Sequence, residues 1–161
     1  DVDWVLAAFD RRHDRRVFGE AIEDLGVVRF RFVDGVEAVL RTAYGARGAM
    51  IRATGDNGIL EVHAGGDTPL RFLSTDSDGW SAPELPPEQV DHINATGRSI
   101  GELLAAIDGV CEARHDAGHA LRATSIIFAA LKSWRDRCRV TLPLDEEDIE
   151  LERIMGDAHA R

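Results

Sequence analysis

Residues 26–45, GVVRFRFVDGVEAVLRTAYG, constrain the fold more than any other stretch of this chain. From Gly26 to Val33 the side chains alternate, with Val28, Phe30 and Phe32 on one face and Val27, Arg29 and Arg31 on the other. A period of two belongs to an extended strand, because successive Cβ atoms point to opposite sides of a pleated backbone. The Asp34-Gly35 pair that follows is a two-residue turn signal, since glycine reaches positive φ without a Cβ clash. An apolar-rich run, VEAVLRTAYG (36–45), then returns. A chain built on this hairpin has an antiparallel sheet at its centre.

The neighbouring segments extend that sheet. VDWVLAAF (2–9) reads as a strand, MIRAT and ILEVH flank GDNG as a second hairpin, and LRFLST (70–75) adds a further strand. The stretch TDSDGWSAPELPPEQ (75–89) is rich in proline and lacks periodicity, so it reads as a surface crossing, with Trp80 as a staple over the core. Helices follow. SIGELLAAIDG (99–109) places Ile100, Leu103, Leu104 and Ile107 on one face, with Ser99 as N-cap and Gly109 as terminator. GHALRATSIIFAALKSWRDR (118–137) carries an apolar stripe of Leu121, Ile127, Phe128, Leu131 and Trp134, and RVTLPL (139–144) returns as a strand. Strands first and helices later predict an α+β domain over 1–145, a largely antiparallel open sheet with helices on one face. The run 146–161 reads as an acidic tail. The mixed character of Val27, Arg29 and Arg31 predicts burial of the other face against a second copy or domain.

Charge narrows the function classes. The formal net charge of −10 repels phosphate backbones, which argues against nucleic acid as a partner. The longest apolar run, IIFAAL (126–131), is too short to span a bilayer, and Asp1, Asp3 and Asp10 stand where a signal peptide would be basic and apolar, so a cytoplasmic, membrane-free protein is expected. Cys111 and Cys138 form no CxxC pair and read as packing residues.

Signatures of chemistry are few. No GxGxxG, GxxxxGK[ST] or GxSxG occurs, and GARG and GDNG lie in hairpins rather than between a strand and a helix. His115 and His119 are four apart, the spacing of a two-imidazole metal site on a continuous helix, but Asp116 and Gly118 mark a helix start between them, and a polar turn is the better reading. Arg11, Arg12, His13, Arg15 and Arg16 form a donor-rich loop. This loop fits either a solvated turn balanced by Asp10 and Asp14, or a site for the hydroxyls or carboxylate of a small polar substrate. Arg12, His13 and Arg16 are the substrate-binding candidates; no residue reads as catalytic or metal-ligating.

The order of the pieces adds more. WV in a first strand, RRHDRR, GEAIEDLGVVRFRFVDGVEAVL, ATGDNGILEV, then ELLAAIDG, ALRATSIIFAALKSWRDR and CRVTLPL resemble the C-terminal domain of the glucose–fructose oxidoreductase/inositol dehydrogenase/MocA family, over about residues 2–145. The resemblance implies a parent NAD(P)-dependent oxidoreductase acting on sugars or polyols. Its Rossmann domain, Glu-Lys-Pro lysine and Asp/His helix would all lie upstream of the match. This chain would then contribute substrate shaping and a homo-oligomeric, dimer-type sheet contact, with NAD or NADP held by the missing N-terminal half and no cofactor site of its own. The abrupt, methionine-free start fits that expectation. The alternative is a stand-alone, non-catalytic module that dimerises or binds a small ligand.

Overall fold

A computed structural model describes residues 1–14, 16–17, 19–46, 48–63, 68–86, 94–114 and 116–145. The elements run β1 (Val2–Asp10), β2 (Arg16–Val17), β3 (Glu20–Ala21), β4 (Leu25–Phe32), β5 (Glu37–Ala43), β6 (Met50–Gly55), β7 (Gly58–His63), β8 (Leu70–Ser74), α1 (Ala95–Ile107), α2 (Ala117–Asp136) and β9 (Val140–Thr141). The fold class is α+β with antiparallel pairing, as the alternation predicts. The chain divides into two compact units, Asp1–Gly45 with Arg114–Arg161, and Ala46–Ala113.

The first unit is a four-stranded sheet in the order β5-β4-β1-β9, with a short β2-β3 ladder beside it. Val5 faces Phe30 on β4 and Val140 on β9, and Ala7 faces Val28, which faces Leu40. This register gathers Val5, Val28 and Val140 with Ala129 and Ala130 of α2 into the buried core. Trp134 closes one end, edge-on to Phe9 with ring centroids 5.7 Å apart. The opposite sheet face carries Trp4, Leu6, Val27, Arg29, Arg31, Val39 and Arg41, so the two faces divide as the sequence alternation predicts.

Three details differ from the sequence reading. The β4–β5 connection is a three-residue loop: Gly35 N–H donates to Phe32 O at 2.9 Å, Phe32 N–H to Val36 O at 2.8 Å, and Gly35 sits at φ 95°. That is a turn with a glycine bulge, which absorbs strand twist that a two-residue type I turn would not. The strands also form separate sheets rather than a single one. On α2 the buried side chains are Ala129, Ala130 and Ser133, whereas Leu121 and Ile127 are exposed. Small residues let the helix approach the sheet closely, and they carry no hydrophobic signal in a periodicity count. Asp116 caps α2 by accepting the His119 N–H at 2.7 Å, as expected.

The second unit is a three-stranded sheet, β6-β7-β8, closed at one end by the Gly55–Gly58 turn. Helix α1 begins at Asn94 rather than Ser99, which lies inside it, and ends at Gly109 in the left-handed region. Its apolar residues Ile100, Leu103, Leu104 and Ile107 share a face but are exposed. Cys111 and Cys138 are exposed as well, not packing residues: each lies just past a helix end, where side chains meet solvent.

Candidate functional site

The loop after β1 holds all three sequence-nominated residues, and a residue the sequence reading passed over organises it. Asp24, one residue before β4, has a side chain only 1% exposed. Its Oδ1 accepts the Arg12 N–H at 2.9 Å, and its Oδ2 accepts the His13 N–H at 2.8 Å and His13 Nδ1 at 2.5 Å. The Asp24 N–H donates to Asp10 O, and its carbonyl accepts the Tyr44 N–H, so its backbone also ties the ends of β1 and β5. The Arg12 N–H, ahead of the His13 bonds, holds the Asp24 carboxyl below its ordinary range. An ionised carboxylate only accepts, so Nδ1 of His13 carries the proton and Nε2 is the atom left for solvent or a ligand.

The arginines stand outward. Arg12 lies 3.9 Å from Asp10, and Arg16 lies 3.4 Å from Asp14 and donates to Gly19 O at 3.0 Å. Each has an acidic neighbour, the balance the solvated-turn reading required, and each remains more than half exposed. The structure therefore brings Arg12 and His13 onto one carboxylate latch and leaves Arg16 beyond it. Beside the latch, a groove of about 560 Å3 opens between the sheet and α2. Phe9, Val28, Leu40, Ile126 and Ile127 line it, with Glu23, Asp24 and Tyr44 at its polar end. Replacing Asp24 with asparagine sets an amide donor against donors. We expect the Arg12 and His13 amides to lose protection from deuterium exchange at least about tenfold, while those of β1 hold. Unchanged exchange at both amides would remove Asp24 from this role.

A second buried carboxylate organises the other unit. Hairpin register sets Glu61 between Arg52 on β6 and Arg71 on β8. Arg52 Nε reaches Oε1 at 2.7 Å and its Nη2 contacts the same oxygen; Arg71 Nε and Nη2 reach Oε2 at 2.7 and 2.6 Å. His63 Nε2 adds a contact at 3.2 Å, and the Arg71 guanidinium stacks 4.5 Å from the Trp80 ring centroid. Trp80 thus covers a guanidinium rather than an apolar core. Arg71 first, then Arg52 and His63, hold Glu61 at about 2 against an ordinary 4.5. A depressed carboxylate contributes stability that is complete above its unfolded value and is lost as pH falls toward the folded one. Thermal unfolding of this unit should therefore be flat above pH about 5 and weaken between about 4.5 and 2. The Glu61→Gln variant should start from a lower midpoint and lose that slope; an equal slope in both proteins would sink the assignment.

Gly55 and Gly58 close a hairpin, unlike the glycine-rich turn that opens a helix in a dinucleotide-binding fold. No group of three histidine, cysteine or acidic side chains able to hold a metal occurs among the described residues, and no described helix is long and apolar enough to cross a membrane. The His115 half of the histidine pair and the acidic tail, 146–161, lie outside the described residues.

Solved structures share this architecture. The WlbA dehydrogenase from Bordetella pertussis, in complex with NADH and UDP-GlcNAcA, aligns at 24% identity and TM-score 0.64 over 89% of this chain and 41% of its own. Levoglucosan dehydrogenase with NADH and levoglucosan aligns at 13% identity and TM-score 0.75 over 90% of this chain and 46% of its own. The fold is that of glucose–fructose oxidoreductase/inositol dehydrogenase/MocA-type enzymes. Among MocA-type structures, the aldose-aldose oxidoreductase from Caulobacter crescentus, complexed with glycerol, aligns at 20% identity and TM-score 0.65 over 88% of this chain and 42% of its own. This chain spans less than half the length of these MocA-type proteins. No family model matches the sequence, and no curated protein matches it.

Proposed function

We propose that residues 1–145 are the C-terminal domain of an NAD(P)-dependent oxidoreductase acting on a sugar or polyol. In this reading the domain shapes the substrate pocket and carries a homo-oligomeric sheet contact, while NAD or NADP and the catalytic groups belong to a preceding Rossmann domain. The overlap carries the reading: 90% of this chain superposes on 46% of a dehydrogenase solved with NADH and a sugar. Arg12, His13 and Arg16 are assigned to the polar substrate. Arg12 and Arg16 present guanidinium donors, and Asp24 leaves Nε2 of His13 outward, a set that matches hydroxyl or carboxylate oxygens.

An immunoblot of the source cells with an antibody raised against this chain tests the assignment. A band of about twice this chain's mass is expected. Cofactor titration then separates the parts: the larger protein should bind NADH or NADPH, and the chain alone should not. The exposed apolar face of α1 favours a second reading, a stand-alone dimerising or ligand-binding module. A band at the chain's own mass would replace the first reading with this one.

A further inference from the structure

We infer that Arg52 and Arg71, clamped on the buried Glu61, form a binding site for the oxyanion group of a small ligand, a carboxylate or a phosphate. The inference concerns the second unit alone and goes beyond the oxidoreductase reading, which gives that unit no ligand. Arg52 and Arg71 stand on the outer strands of the three-stranded sheet, each opposite Glu61 on the central strand, so the three side chains share one face. The Glu61 side chain is fully buried, whereas those of Arg52 and Arg71 are 52% and 40% exposed. The carboxylate is thus the floor of the cluster and the guanidiniums are its open surface. Each arginine turns the same edge to Glu61, with Nε and Nη2 on one oxygen. Nη1 of both, with its pair of N–H donors, has no hydrogen-bond partner among the described residues.

Stability does not account for this arrangement. Burying a carboxylate under two cations carries a desolvation cost, and replacing such a cluster by packed apolar side chains is often neutral or stabilising. What the cluster provides is fixed direction. Glu61 holds both guanidiniums from below, and the Trp80 ring lies 4.5 Å from that of Arg71. Trp80 is itself held beside β8, because Phe72 and Ser81 exchange N–H to carbonyl bonds of 2.8 Å in both directions. An arginine whose fork is already fixed loses little freedom on binding, and its paired N–H groups match the oxygens of a carboxylate or phosphate. Two guanidiniums over one carboxylate also leave one positive charge in excess, on a chain whose formal net charge is −10. That local charge and those free donors select an anion.

Arginine side-chain NMR of the full chain tests the site, with inorganic phosphate and acetate as probes and chloride holding ionic strength constant. The Nε–H resonances of Arg52 and Arg71 should shift and saturate, half-way at about 1–10 mM. Whichever probe binds more tightly identifies the group. The paired variant Arg52→Gln with Glu61→Gln keeps the net charge and leaves no carboxylate buried without a partner, yet it removes the clamp. Arg71→Lys keeps the cation and loses the fork. Each should weaken binding at least about tenfold, and circular dichroism checks that both variants fold. Shifts that grow linearly with both probes, without saturation, would overturn the inference. Undiminished affinity in both variants would overturn it as well, since diffuse positive charge would then be enough.

Discussion

Ser133→Ala is expected to lower stability by about 2–3 kcal/mol although it removes one oxygen atom. Ser133 is fully buried on α2; its Oγ accepts the Ala7 N–H from β1 at 2.9 Å and donates to Cys138 O at 2.6 Å. Ala7 lies on the edge of β1 beyond the two residues that β9 pairs, so the hydroxyl completes a ladder that the short strand leaves open. Alanine would strand a donor inside the sheet–helix interface and an acceptor at the turn after α2. A buried amide without a partner costs about 1–3 kcal/mol, and solvent near the exposed Cys138 offsets part of the carbonyl's share. Urea unfolding measures the loss directly. Ser125→Ala serves as the comparison, because its hydroxyl bonds Leu121 O at an exposed position and should change stability by less than about 0.5 kcal/mol. Equal midpoints for the two variants would mean that the Ser133 bonds carry no net stability.

Gly58→Ala should be at least as costly, about 3 kcal/mol or more, and confined to the second unit. A Cβ at Gly58 would stand 2.0 Å from the Leu73 carbonyl oxygen, and the backbone sits at φ +137°. Neither term is relieved by a side-chain rotation, because the obstacle is the backbone of the adjacent strand. We expect β7 and β8 to separate at this end and their amides to lose deuterium-exchange protection, while those of β1 and β4 are unchanged. Gly55 sits across the same turn with open space at its Cβ position, so Gly55→Ala should be tolerated. Unaltered protection of β7 and β8 in Gly58→Ala would show that this hairpin is not held at the register seen here.

The long elements were legible in the sequence because their signals are periodic. Alternation around Phe30 and the GDNG turn at 55–58 located β4 to β7, and the faces of β4 followed from it. What escaped is what periodicity does not encode. The buried residues of the helix face against the sheet are Ala129, Ala130 and Ser133, small rather than strongly hydrophobic. Asp24 gave no signal, since an acid beside Glu23 ahead of a strand reads as a surface residue until the loop folds over it. Glu61 was recoverable: pairing Gly55 with Gly58 sets Arg52 opposite Glu61, and alternation places His63 on the same face. Among the nominated residues, His13 lacked a partner in its own stretch because the partner stands eleven positions away.

The Asp24 latch has a consequence for how this loop can change over time. One carboxylate fixes the beginning of the loop through Arg12 and His13, and the backbone of the same residue fixes the ends of β1 and β5. The stretch between residues 14 and 22 is thereby insulated from strand register: lengthening it leaves both anchor points where they are, and loop closure costs only about 0.6 kcal/mol per doubling of length. A change in the length of that stretch can therefore alter what hangs from this single clasp without renegotiating the sheet.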